Sequence, residues 1–316
     1  MAAVIAVEDL TKFYGRHLAV DHINFEVSRG EIFGFLGPNG AGKTTTQRLL
    51  TGILPPSEGR AWVLDHDMAT DPLGAKEHVG VVPEVANPYT ELTGHQNVAF
   101  AGELYGLDGP TARRRGEELL RRFKLWERRG DIVKRYSKGM RQRLMLSMAL
   151  LHEPEVLFLD EPTAGLDVES QRLIRGTVRE LAAGGVTVFY TTHNIEEANV
   201  LCDRVAIIRE GRMVALDSPE HLKSTFTRSQ AVEVSFSESV DPERLSDLPD
   251  VMQVDRRGDK LHVRTATPGA VAMALVDFAH QHDLQIVSVE TQGPSLEEVF
   301  VALSGGDTDT QGEDAP

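Results

Sequence analysis

The segment GPNGAGKT, Gly37 to Thr44, has the residue types and the spacing of a phosphate-binding loop. Its glycines leave backbone N–H groups free to surround phosphate oxygens, and the positive end of a following helix favours the same anion. In this pattern Lys43 reaches the β- and γ-phosphates, and the hydroxyl of Thr44 binds Mg²⁺. The alternative is a glycine loop without a ligand, but this segment follows an apolar strand and opens a helix, as phosphate binding requires. Between Gly37 and Lys43 the loop consists of Pro38, Asn39, Gly40, Ala41 and Gly42.

Two adjacent carboxylates, Asp160 and Glu161, directly follow the apolar run VLFL at 156–159. A strand there delivers them to the carboxyl edge of a sheet, where ligands bind in open α/β folds. Asp160 would hold Mg²⁺ through water, and Glu161 could polarise the attacking water. The alternative is a plain pair of strand-end acids, but two buried carboxylates cost free energy unless a metal or a proton transfer uses them.

A histidine follows the next apolar segment along the chain. His193 comes just after TVFYT at 187–191, so the same edge of the sheet receives it. A single histidine is commonly structural, whereas this placement suits a catalytic role. On the residues alone, both roles stay open.

A further segment, YSKGMRQRL at 136–144, combines a small polar turn with the start of a basic helix. Ser137 and Gly139 are suited to bind a phosphate at a helix N-terminus. The segment lies far along the chain from Lys43, directly before the strand that carries the paired carboxylates. Because the loop at 37–44 already surrounds the nucleotide of its own chain, we expect this segment to bind the ATP of a second molecule.

Short apolar segments predict the strands that position these residues. Helical patterns separate the segments, for example after Asp167, which is suited to cap a helix that two glycines end. Strands alternating with helices indicate an α/β fold with a mostly parallel sheet covered on both faces. The predicted strands are EIFGFL (31–36), HVGVV (78–82), VLFL (156–159), TVFYT (187–191) and VAIIR (205–209).

With 316 residues, the chain is long enough for more than one domain. The α/β pattern occupies residues 1–222, and a nearly continuous helical stretch at 88–155 interrupts it as an inserted helical subdomain would. Short alternating strands around the helix PGAVAMALVDFAHQ then predict a small α+β domain at 223–303. The glycine-rich, acidic segment 304–316 is expected to be disordered.

Composition and charge exclude several classes of protein. A net charge of −15 makes the chain a poor general binder of nucleic acid, so no such partner is expected. No apolar run approaches the ~20 residues of a membrane-spanning helix. The first residues have no basic flank and soon reach Glu8 and Asp9, which is unlike a secretory signal, so we expect a cytoplasmic protein.

The ordered motifs GPNGAGKTT, YSKGMRQRL, VLFLDEP, AGLD and TTH resemble those of the ATP-binding subunits of ABC transporters. The resemblance covers residues 1 to about 222, with all five motifs in order and at suitable spacing. It implies a P-loop NTPase fold of the ABC type that hydrolyses ATP with Mg²⁺. It makes Glu161 the general base, His193 the sensor of the γ-phosphate and Lys43 a ligand of the phosphates. Thr45 extends the phosphate loop in this family pattern.

The same resemblance assigns residues on either side of a dimer. It implies that Tyr14 stacks on adenine, a contact worth about 1–3 kcal/mol for a base on an aromatic ring. It implies a head-to-tail dimer in which Ser137 and Gly139 contact the γ-phosphate of the other subunit's ATP. Asp167 lies in the loop that joins the two sites.

Two positions depart from the family pattern. The family's signature segment usually has Gly where this chain has Lys138, a change with a mild expected effect if the side chain points outward. The loop after HVGVV usually offers Gln where this chain has Glu84. Glu84 is therefore a candidate metal ligand beside Thr44 and Asp160, although the usual coupling role of this position stays open.

The predicted function is energy supply to an exporter, because the C-terminal domain is similar to the extension of ATPases that drive ABC-2-type exporters, including the daunorubicin-resistance group. Two identical chains, or this chain and a second ATPase subunit, would close on two ATP molecules and reopen after hydrolysis. A separate membrane permease would select the substrate and hold the chain at the inner face of the membrane.

The alternative, an ABC ATPase of translation or DNA repair, is disfavoured by the single cassette and the lack of heptads. A kinase or GTPase is disfavoured because no N-K-x-D guanine motif is present.

Overall fold

The computed structural model describes residues 3–225, 230–292 and 296–304. The chain forms two compact units, residues 1–218 and 219–316. Strands at the centre of the first unit are apolar and buried on both faces, as expected for a covered parallel sheet. In chain order, the strands of this unit are β1 (Ala3–Tyr14), β2 (His17–Ser28), β3 (Ile32–Leu36), β4 (Glu58–Val63), β5 (His66–Asp67), β6 (Val79–Val82), β7 (Val156–Asp160), β8 (Thr187–Thr192), β9 (Arg204–Arg209) and β10 (Arg212–Asp217).

The larger sheet of this unit has the strand order β10-β9-β3-β8-β7-β6. Its strands run parallel except β10, which is antiparallel to β9. The strands predicted from the apolar segments are all present in this sheet, with ends within one residue of the prediction. Because β3, β6, β7 and β8 are parallel, the residues that follow them meet at one edge.

A second sheet, with the order β2-β1-β4-β5, is antiparallel and was not predicted from the sequence. Its two long strands, β1 and β2, contain several shifts of register, for example between Val7 and Leu10. Such shifts interrupt the alternation of polar and apolar residues by which a strand is recognised. The two sheets share an aromatic core, in which Phe25 of β2 stacks on Phe33 of β3 with ring centroids 5.2 Å apart.

The helices of the predicted insertion at 88–155 contact one another, and the last of them also contacts β6; the other helices of the first unit lie on the sheets. Three insertion helices have side-chain caps that fix their starts: Thr93 and Gln96 form a capping box, and Asp108 and Ser137 each accept a hydrogen bond from a backbone N–H group of the first turn. In the described residues, no helix is both long and apolar enough to cross a membrane. The helices of the first unit are α1 (Lys43–Leu50), α2 (Pro72–Lys76), α3 (Gly94–Leu104), α4 (Gly109–Arg122), α5 (Lys138–Ala149), α6 (Val168–Ala183) and α7 (Ile195–Leu201).

The second unit is a small α+β domain built on an antiparallel sheet. One face of this sheet packs on a helix through Val271, Leu275 and Phe278. The sequence places the domain boundary at 222, within a helix that the structure assigns wholly to the second unit; most of the predicted disordered tail lies outside the described residues. The elements are α8 (Pro219–Thr225), β11 (Gln230–Phe236), α9 (Pro242–Ser246), β12 (Gln253–Arg257), β13 (Lys260–Thr265), α10 (Pro268–Gln281), β14 (Ile286–Gln292) and α11 (Leu296–Ser304).

Candidate nucleotide site

The glycine-rich loop between β3 and α1 adopts a backbone that requires glycine. Gly42 has φ 108°, and a Cβ there would lie 2.6 Å from the carbonyl oxygen of Ala19. A Cβ on Gly37 would lie 2.4 Å from the carbonyl oxygen of Ile208. Gly42 is the N-cap of α1, so the first backbone N–H groups of this helix have no helical acceptor and are available to an anion.

An open cavity of about 390 Å³ lies beside this loop. Most of the predicted nucleotide-binding residues line it, together with His17 and Ala19, which the sequence did not indicate. Tyr14 is 44% exposed at its rim, with the ammonium of Lys12 5.9 Å from the ring centroid. The lining consists of Tyr14, His17, Ala19, Asn39, Gly40, Gly42, Lys43, Thr44, Thr45, Glu84 and Glu161.

Lys43 is the buried cation of the cavity, with an exposed fraction of 6%. Its ammonium donates hydrogen bonds to the carbonyl oxygens of Gly37, at 2.8 Å, and Pro38, at 3.2 Å. The same nitrogen lies 3.2 Å from Oε1 of Glu161. The loop thus holds a positive charge directly beside a carboxylate.

Glu161 is placed by an uncommon backbone conformation. It has φ 48°, in the left-handed region, which turns the chain sharply as β7 ends. Its backbone N–H is anchored on Thr191 of the neighbouring strand, and Oε2 lies 2.8 Å from Nδ1 of His193. Oε1 forms the ion pair with Lys43 but accepts no hydrogen bond from the described residues. One oxygen of Glu161 is therefore oriented, and the other retains its capacity to accept a proton.

The predicted metal ligands surround the same loop without forming a closed cage. Thr44 and Glu84 line the cavity, whereas Asp160 does not line it and lies buried, accepting a hydrogen bond from the Thr191 hydroxyl at 2.5 Å. Among the described residues, no three His, Cys, Asp or Glu side chains are grouped to hold a metal by themselves. Oxygen donors of this kind fit Mg²⁺, which commonly takes one or two carboxylates and completes its shell with substrate phosphates and water.

A buried polar network behind the site was missed by the sequence analysis. Glu197 of α7 is 4% exposed, and the hydroxyl of Thr163 donates to its two oxygens at 2.7 and 2.8 Å. Thr192 donates to the same carboxylate, and Asn194 caps the helix that carries it. These bonds join the chain just after β7 to the chain just after β8, which carries His193. The available signal was the position of Glu197 in the first turn of a helix that begins just after the candidate histidine and has Asn194 as its cap.

Ser137, Gly139 and Asp167 lie near one another but do not line the cavity. A Cβ on Gly139 would lie 2.5 Å from Oγ of Ser170 and 3.1 Å from Oδ2 of Asp167, so α5 and α6 approach closely here. Hydrogen bonds from the backbone and the side chain of Ser170 hold the pKa of Asp167 below its usual value. The cap on Ser137 uses its oxygen as an acceptor, which leaves the hydroxyl hydrogen free to donate.

Comparison with known proteins decides the family. The family model described as "ABC transporter" matches residues 20–164, and "ATP-binding protein DrrA1-3-like, C-terminal domain" matches 218–304. The chain is 35% identical over 307 residues to the linearmycin resistance ATP-binding protein LnrL of Bacillus subtilis, with 96% of this chain and 98% of that protein covered. The chain belongs to the ATP-binding proteins of ABC transporters.

Further relatives agree with this membership. The daunorubicin resistance ATP-binding protein DrrA3 of Streptomyces coeruleorubidus is 38% identical over 308 residues, which cover 96% of each chain. A solved ATP-binding subunit of an ABC transporter is 31% identical with a TM-score of 0.66, over 71% of this chain and 93% of that one. The predicted family, fold class and enzyme class are therefore confirmed. The protein is an ATP-binding, ATP-hydrolysing subunit of the ABC exporter type.

Proposed function

We propose that this ABC protein energises export by closing, as a dimer, on two ATP molecules and by reopening after hydrolysis, while a separate membrane permease carries the substrate. The observation that carries the proposal is the separation of two phosphate-binding elements within one chain. Lys43 and Glu161 line the cavity, whereas Ser137 and Gly139 lie outside it. A head-to-tail pair would bring each α5 N-terminus to the other chain's cavity.

In the proposed reaction, three side chains act on the terminal phosphate and the attacking water. Lys43 balances the charge of the phosphates, and Glu161 accepts the proton of the water on Oε1, the oxygen that faces the Lys43 ammonium and not His193. His193, 2.8 Å from Oε2, orients this carboxylate and reports the presence of the γ-phosphate to it. Tyr14 stacks on the adenine at the rim of the cavity.

The residues around the loop fit a bound Mg²⁺. When bound, this ion would neutralise phosphate charge and so favour transfer of the terminal phosphoryl group. The hydroxyl of Thr44 is a proposed ligand, Asp160 would hold the ion through water, and Glu84 is a further proposed ligand in the lining of the cavity. In each case the donor is oxygen, as Mg²⁺ prefers.

We predict that Glu84→Gln preserves ATPase activity but needs more Mg²⁺ for its half-maximal rate, because a neutral amide oxygen binds the ion more weakly than a carboxylate. Product release should also slow, since the neutral amide no longer repels the nearby carboxylate and phosphates. Glu84→Ala should uncouple hydrolysis from transport. The measurement is a Mg²⁺ titration of ATPase rate for the wild-type protein and Glu84→Gln. Superimposable titrations, with unchanged transport in Glu84→Ala, would show that Glu84 is a solvated loop acid.

The proposed permease contact lies at the start of the helical insertion. Tyr89 is 52% exposed, and its backbone is fixed by two hydrogen bonds with the side chain of buried Asn97. Its ring meets Phe100 edge-on, with centroids 4.9 Å apart, and Leu104 of the same helix is exposed. An apolar patch with a fixed backbone can receive a short helix from a membrane partner.

A photo-cross-linking residue at Tyr89 tests this contact and with it the export function. In native membranes, we expect it to capture an integral membrane protein, because the patch is proposed to bind the permease. The matched control is the same cross-linker at Val200, an exposed apolar position on α7. Labelling of the ATPase alone from both positions, or capture of ribosomal or DNA-repair proteins from Tyr89, would contradict the proposed function.

A further inference from the structure

Lys138 connects two segments that both lie outside the lining of the nucleotide cavity. Its ammonium donates a hydrogen bond to the carbonyl oxygen of Ala164, at 2.6 Å. A Cβ on the next residue, Gly165, would lie 2.9 Å from the same nitrogen. The side chain is exposed but lies against this loop, so it joins the first turn of α5 to the loop 163–167, which follows the Glu161 turn.

Two further contacts hold the same loop, one with α7 and one with α6. Thr163 donates to buried Glu197, whose helix begins beside His193. The amide of Gln171 donates to the carbonyl oxygen of Leu166, at 3.2 Å. Two adjacent residues of the loop therefore bond to different helices. Ala164 bonds to the N-terminus of α5, and Thr163 bonds to α7, which begins just after His193.

Helix stability does not account for a lysine at this place. Lys138 is the first residue of α5, where the helix dipole favours anions and a cation is unfavourable. Glycine, which the family usually has here, carries no charge and could not reach Ala164. The contact with the loop is therefore what the lysine adds to this chain.

We propose that Lys138 is a positioning residue that couples the two nucleotide sites of the dimer. When the α5 N-terminus meets the phosphate of the partner's ATP, Lys138 transmits its displacement to the loop 163–167, and Thr163 and Glu197 pass it to the Glu161–His193 pair of the same chain. The proposal rests on the dimer of the proposed function. In the alternative hypothesis, Lys138 contacts the phosphate of the partner's ATP directly. Its loss would then slow hydrolysis in the partner's site and not in the site of its own chain.

Single variants measure the contribution of the tether. Lys138→Met retains the length of the side chain without its charge, and Lys138→Arg retains a donor that can reach Ala164. We expect Lys138→Met to lower kcat roughly ten-fold, within the ~10²-fold that a small misplacement of catalytic groups can cost. ATP affinity and melting temperature should be unchanged, and Lys138→Arg should recover most of the rate. Lys134→Met, another exposed lysine of the same segment, is the matched control and should hydrolyse normally.

Mixed dimers identify which site Lys138 serves. One subunit carries Glu161→Gln, so that only its partner hydrolyses ATP in a single turnover, and Lys138→Met is then placed in either subunit. The relay predicts slowing of roughly ten-fold when Lys138→Met is in the hydrolysing subunit and little change when it is in the other. Three results would overturn the proposal. Hydrolysis could be slowed only when Lys138→Met is in the Glu161→Gln subunit, slowed equally with Lys138→Met in either subunit, or slowed in neither case.

The failure of the relay and the failure of the proposed function give different results. Absence of ATP-dependent dimers of the wild-type chain contradicts the proposed function and the relay that rests on it. Mixed dimers that form and hydrolyse ATP regardless of where Lys138→Met is placed contradict the relay alone.

Discussion

Replacing Glu161 with glutamine is expected to preserve ATP binding and to slow hydrolysis by about 10²- to 10⁴-fold, the range for loss of a general base. The amide has the size of the carboxylate, and its oxygen can still accept a hydrogen bond from His193. It cannot take the proton of the attacking water, the role proposed for Oε1. Because hydrolysis is what reopens the proposed dimer, a closed, ATP-filled form should accumulate.

The measurements are the ATPase rate, equilibrium ATP binding and the size of the purified protein with ATP and Mg²⁺. Glu155→Gln is the matched control, because Glu155 lies directly before β7, at the opposite end of the strand from Glu161, and pairs with Arg29 at the surface. It should hydrolyse at the wild-type rate. If purified Glu161→Gln keeps most of its activity, another group must activate the water.

Sequence patterns predict the central sheet well because its strands are short and continuously apolar. The strands that contain Phe35 and Phe158 are buried on both faces and are therefore apolar throughout. They can be recognised without knowing how they pair with their neighbours. The antiparallel sheet was missed for the opposite reason. Its strands β1 and β2 form a hairpin whose pairing contains bulges, and these break the alternation near Leu10.

Sequence patterns can place a residue in the fold when its position follows from the end of a strand. Glu161 and His193 come directly after parallel strands and Glu84 follows a third such strand by two residues, so topology alone gathers them at one edge of the sheet. Contacts between loops have no such pattern. The bonds of Lys138 to Ala164 and of Thr163 to Glu197 depend on how two helices and a turn pack, which no periodicity records.

Mixing two inactive variants, Ser137→Ala and Lys43→Ala, is expected to restore ATP hydrolysis. In a head-to-tail dimer of one chain of each kind, one site combines the intact Lys43 with the intact Ser137, and the other site carries both substitutions. Random pairing in equal amounts leaves about a quarter of all sites intact, which sets the expected activity relative to wild type. The measurement is the ATPase rate of the mixture, with heterodimer formation verified by two different affinity tags.

The parents must be inactive for the intended reasons. Ser137 caps α5, and its loss to alanine costs about 0.5–2 kcal/mol of helix stability, whereas glycine at an N-cap costs only a few tenths. Ser137→Gly therefore removes the proposed phosphate contact with less effect on the helix, and it should complement Lys43→Ala equally well. Lys43→Ala mixed with a chain carrying both substitutions is the control without any intact site, and it should stay inactive. Heterodimers of Ser137→Ala and Lys43→Ala that form but do not hydrolyse ATP would place Ser137 in its own chain's site and remove the basis for a shared one.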